Sequence, residues 1–161
     1  MKRALKSPVF NAVCLCLFTA FYSLIFIGAS GHEGFEKILH YSRYAEERQS
    51  QISGHAFLVN WSRFLADGSQ KYIALVLIAL TIVVVILLLS RRKPYDEYHV
   101  DRLVSCLVIA FILTMIAIAL FYISVLSVSD GIVESFTLFI VIHWATVIFA
   151  DLVYVLLCRW R

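Results

Sequence analysis

With 161 residues, 61% of them hydrophobic, and a mean hydropathy of +0.86, the chain carries more apolar surface than a soluble domain of this size can enclose. Its net charge of +3 comes from 14 Lys and Arg against 11 Asp and Glu, and the basic residues gather at the ends of apolar runs rather than along a stripe, which argues against nucleic-acid binding. The four cysteines lie within or beside those runs, so a disulfide-stapled secreted domain is not indicated.

Lys2, Arg3 and Lys6 lead to Pro8, a residue suited to the first turn of a helix, and an apolar run over residues 9–29 follows with Asn11 as its only strongly polar member. This run exceeds the usual length of a signal-peptide core and reads as an uncleaved first crossing. Ala12, Cys16 and Ala20 recur every four residues and suggest a small-residue seam for close helix approach.

Residues 31–71 are polar, with five basic and five acidic side chains. Two amphipathic patches, 33–48 and 55–66, read as helices lying on the bilayer or capping the helices, with Phe57, Trp61 and Phe64 on the apolar side. His32, Glu36 and His40 are spaced four and four apart, so one helical face would present all three toward a zinc ion. The ordinary reading of the three is a solvated loop helix, and no metal or other cofactor is assigned. Asp67, Gly68 and Ser69 mark a turn.

The second crossing, 72–90, contains no charged residue and reads as a mainly lipid-facing element. Arg91, Arg92, Lys93 and Pro94 stop it, and the charged connector through Arg102 reads as a cytosolic turn. The third crossing covers 103–127. Ser129, Asp130 and Gly131 then form a tight return into the last run, 132–158, so the third and fourth crossings should be antiparallel neighbours. That last run spans about 40 Å as a helix, against a hydrocarbon core of about 30 Å.

The expected fold is therefore all-α, one domain over residues 1–161, an integral membrane four-helix bundle with an amphipathic helical loop outside the cytoplasm. Placing both termini and the 91–102 connector in the cytosol puts nine Lys and Arg on that side and five on the other. The positive-inside rule favours this orientation, in a plasma membrane or a bacterial inner membrane.

His143 and Asp151 stand out in the last crossing because an ionisable side chain in hydrocarbon costs several kcal/mol unless it faces protein or water. Eight residues apart, they project about 80° from one another and sit roughly 12 Å apart along the axis, so they line one interior surface without touching. They define either a polar, proton-accepting pathway or structural hydrogen bonds to groups such as Ser105, Thr114 or Tyr122. Glu134 suits the positive start of the last helix, and with Asp130 it would form an acidic rim on the outer side.

No nucleophile elbow, phosphate loop, dinucleotide fingerprint or Cys-x-x-Cys motif is present, and the chain reads as non-enzymatic. Its layout, with Arg91, Arg92, Asp101, Arg102 and Cys106 around the turn into the third crossing, resembles that of the four-helix immunity proteins that protect bacteria from pore-forming colicins. The likeness is architectural, involves no residue motif and transfers no functional residue. The expected function is binding to the bilayer and to another membrane component, as a regulatory, accessory or immunity-type subunit or in a homo-oligomer. The competing expectation is a small oligomeric channel or proton-coupled transporter that uses His143 and Asp151.

Overall fold

The computed structural model describes residues 7–30, 56–90, 97–127 and 132–159, and all its regular structure there is helical. The helices are α1 (Pro8–Ser30), α2 (Ala56–Ala66), α3 (Gln70–Leu89), α4 (Glu97–Ser127) and α5 (Ile132–Arg159). Among the described residues, α1, α3, α4 and α5 are long and apolar enough to cross a membrane. Residues 33–48, the His32, Glu36 and His40 set, and Asp130 lie outside the described residues.

Local chemistry accounts for the helix ends. Ser7 accepts the Phe10 amide through Oγ at the start of α1, directly before Pro8, whose missing amide hydrogen costs nothing in a first turn. Helix α2 ends in a Schellman turn, in which Ser69 N–H donates to the Phe64 carbonyl and Gly68 N–H to that of Leu65. Gly68 supplies the left-handed residue at φ 66°. The apolar runs agree with the spans expected from sequence to within two residues except at α4, which begins at Glu97 rather than 103. Charge marks where the hydrocarbon stops, not where the helix stops. The extra turns are supported by Tyr98, whose hydroxyl accepts Arg102 Nε at 3.2 Å one turn on.

Helices α1, α3 and α5 pack mutually into a three-sided core, and the main packing of α4 is on α5. The buried face of α1 is Ala12, Leu15, Thr19 and Phe26, a helical stripe around which four-residue spacing drifts. Only Ala12 of the expected small-residue seam is therefore inside, and Cys16 and Ala20 are exposed. Helix α3 leaves most of its surface outside the core, in line with a mainly lipid-facing element, but one stripe of it turns inward. Gln70, Ala74, Leu77, Thr81, Val84 and Leu88 form a buried stripe against α1 and α5, although the average composition of the helix hides that stripe. Trp144, fully buried, sits at the centre of the core. On α4, Leu103, Cys106 and Ala110 are buried, and most of the remaining surface is exposed aliphatic side chain suited to lipid.

Candidate functional site

The polar side chains of α5 meet partners at successive levels along the core. Helices α1 and α5 run antiparallel, so the partner on α5 falls from 151 to 143 as the position on α1 rises from 11 to 22. At the end of the bundle away from α2, Asn11 donates through Nδ2 to Oδ1 of Asp151 at 3.2 Å, and Asp151 is only 4% exposed.

The middle level joins three helices. Thr81 donates its hydroxyl to the Leu77 carbonyl at 2.9 Å, so its oxygen is left to accept from Thr19 at 3.0 Å. Thr19 in turn accepts Trp144 Nε1 at 3.3 Å. The direction of donation thus runs from α5 through α1 to α3 and ends on a backbone carbonyl, with every donor used.

At the next level Tyr22 is hydrogen bonded to Nδ1 of His143. Donation by the phenol uses both the tyrosine proton and the imidazole lone pair, and it leaves one donor, Nε2–H. The reverse direction would leave a phenol proton and an imidazole acceptor both without partners, so the first arrangement is favoured in an apolar setting. The His143 ring stacks on Phe139, centroids 5.8 Å apart, and meets the Phe18 edge at 5.6 Å.

Glu134 lies under α2 rather than at an open rim. Ser62 Oγ donates to its Oε1 at 2.8 Å, and the residue is 1% exposed. Beside it Trp61 Nε1 donates to Thr137 Oγ at 3.1 Å, and Leu65 packs near Val133, so α2 is tied to the first turns of α5. Phe64 stacks on Trp61 at 5.4 Å, whereas Phe57 is exposed. A cleft of about 190 Å³ between the ends of α1 and α5, lined by Ile25, Phe26, Val133, Phe136, Thr137 and Ile140, presents only apolar surface.

His143 and Asp151 therefore occupy separate levels, with Leu15, Thr19, Trp144 and Ile148 buried between or beside them. Neither bonds the α4 groups expected from sequence. Ser105 and Thr114 donate to carbonyls of their own helix, and Tyr122 is 61% exposed. The partners Asn11 and Tyr22 were visible as polar or aromatic members of the first apolar run, but their contacts depend on helix neighbours that hydropathy does not specify. Thr19, Thr81 and Ser62 gave no signal beyond residue type. Among the described residues no group of three or more His, Cys, Asp or Glu is placed to hold a metal ion.

Together these features define a hydrophobic, helical, membrane-embedded protein. No protein-family model, curated protein or solved structure matches the chain.

Proposed function

We propose that the protein is a non-enzymatic membrane protein with four crossings and cytosolic termini, and that it acts by binding another membrane component. The observation that carries this reading is that Glu134, His143 and Asp151 on α5 each hydrogen bond to another helix of the chain, Glu134 to α2 and both His143 and Asp151 to α1. Bonds of this kind in membranes are worth about 0.6 kcal/mol on average, enough to fix helix register. A conduction path needs such groups to face a continuous polar route, whereas here buried Leu15, Trp144 and Ile148 flank the levels. The orientation follows from the charge bias of nine against five Lys and Arg.

The competing reading, a channel or proton-coupled transporter using His143 and Asp151, makes a different prediction in vesicles. Purified protein in phosphatidylcholine vesicles carrying an internal pH dye should dissipate an imposed pH gradient no faster than empty vesicles. A faster rate that is abolished by Asp151→Asn at equal folded protein would refute the binding reading.

A further inference from the structure

Polar pairs join α1 to α5 as far as Tyr22 and His143. One turn nearer to α2, between Ile25 on α1 and Ile140 on α5, the two helices leave the cleft of about 190 Å³. Its floor is Phe26, Thr137 and Ile140, all buried, and its rim is Ile132 and Phe136, which are 49% and 47% exposed on the surface that faces hydrocarbon. The cleft is thus a recess in the lipid-facing surface of the bundle, near the ends of two membrane spans.

The lining decides what can fill it. Among the described residues Thr137 is the one lining residue with a polar side chain, and its hydroxyl is engaged twice, donating to the Glu134 carbonyl and accepting Trp61 Nε1. Water in the cleft would therefore find no partner, and apolar cavities of about this size stay dry and take up hydrocarbon. The space is too small for a helix, which is about 10 Å across. It fits a stretch of several methylenes or one large side chain. Between those two, availability favours the lipid. Phospholipid chains are the solvent of the rim with which the cleft is continuous, so a side chain from any protein has to displace them at their bulk concentration.

We propose that the cleft between α1 and α5 is a binding site for the upper part of one acyl chain of a bilayer phospholipid. The chain enters between Ile132 and Phe136 and lies against Phe26, whose ring meets the buried Trp144 with centroids 6.5 Å apart. Thr137 and Val133 also hold α2, through Trp61 and Leu65, so the bound lipid sits beside the attachment of α2 to α5. The site requires only the membrane embedding of the helices and is independent of the partner and the orientation argued above.

The test uses the full chain in phosphatidylcholine vesicles that contain a trace of phosphatidylcholine with a diazirine in the upper part of one acyl chain. After illumination, peptide mapping compares labelling of Ile25, Ile132 and Phe136 with that of Leu75, Val76 and Leu126, which lie at the same end of the bundle and are 65%, 62% and 85% exposed. Exposure alone would label these reference positions more heavily. A retained chain should instead label the cleft about threefold or more above them. Ile25→Phe and Ile132→Phe, each of which adds a ring at the edge of the cleft, should bring cleft labelling down to the reference level, whereas Leu24→Phe, on the exposed face of α1, should leave it unchanged. Cleft labelling no higher than the reference in the wild-type protein overturns the proposal without use of any variant, as does an excess that survives both ring substitutions. An excess seen only when the protein is diluted in lipid would assign the cleft to a second copy and equally overturn it. Labelling below the reference at every dilution would mean that another part of the chain covers the cleft, which overturns it too. Proton flux in the same vesicles would sink the binding function and leave this site standing.

Discussion

Asn11 and Asp151 lie at opposite ends of the chain, yet the Asn11 amide donates to the Asp151 carboxylate at 3.2 Å and ties the first crossing to the last. Because Asp151 is 4% exposed, loss of that donor leaves a buried carboxylate oxygen poorly compensated. Asn11→Ala should destabilise the protein by about 1–3 kcal/mol. Asp151→Asn keeps an acceptor for the same amide and should change stability by less than about 1 kcal/mol. Unfolding in mixed micelles, with the double variant closing a cycle, measures the coupling. A coupling indistinguishable from zero would show that the contact contributes nothing to stability.

The apolar runs, the Pro8 start and the Gly68 turn were legible in the sequence because each follows from local chemistry or from the need to match hydrocarbon. Of the helix contacts, only that between α4 and α5 was legible, from the short return that joins them. The short return near Asp130 made α4 the natural source of partners for His143 and Asp151, and α4 does pack on α5. It does so through Leu103, Cys106 and Ala110, while the two ionisable groups turn toward α1. Helix rotation decides this, and α3 shows why hydropathy is blind to it. With nearly every residue apolar, α3 has no amphipathic contrast to reveal that Thr81 faces inward. Glu134 was placed correctly by its position in the first turn of α5, but its enclosure depends on α2 folding back over it.

The Trp144–Thr19–Thr81 series has a direction, and variants along it should differ in effect. Thr19→Val removes the acceptor from the buried Trp144 N–H and should cost about 1–3 kcal/mol. Thr81→Val removes only an acceptor for the Thr19 hydroxyl, which can rotate to the Leu15 carbonyl four residues earlier, so its cost should be about 1 kcal/mol or less. Chemical unfolding followed by tryptophan fluorescence measures both. Equal costs would contradict the assigned direction.

The proposed orientation predicts that, in a cysteine-free background, a single cysteine replacing Ser50 reacts with a membrane-impermeant maleimide added outside intact cells. One replacing Tyr95 should react only after the cells are permeabilised. The reverse pattern would invert the protein in its membrane, against the nine-to-five distribution of basic residues.

Gly68 holds φ 66° in the turn that returns α2 toward α3, and a Cβ built there meets nothing within 4 Å. The penalty for Gly68→Ala is therefore conformational rather than steric with neighbours and should be about 1 kcal/mol. Gly68→Asn should cost less, since asparagine tolerates the left-handed region. Thermal unfolding of the three proteins orders them, and alanine as stable as glycine would exclude this turn geometry.

Ser62 and Glu134 make the clearest test of how α2 is held over α5. The 2.8 Å bond is enclosed, so Ser62→Ala deprives a buried carboxylate of a donor, while Trp61 retains its bond to Thr137 and Leu65 its packing near Val133. Partial loss of attachment is the expected result, with α2 opening more often and the transmembrane core intact. A cost of about 1–1.4 kcal/mol corresponds to roughly five- to tenfold faster amide exchange. Hydrogen exchange across residues 56–66 should accelerate by that factor in Ser62→Ala, while residues 140–150 of α5 remain as protected as in the wild type. Glu134→Gln supplies the converse control, because its amide oxygen still accepts the serine proton and exchange in α2 should stay within about twofold of wild type. Acceleration throughout α5 in Ser62→Ala would instead mean that α2 is integral to the core, and unchanged exchange in α2 would mean that the serine does not fasten it.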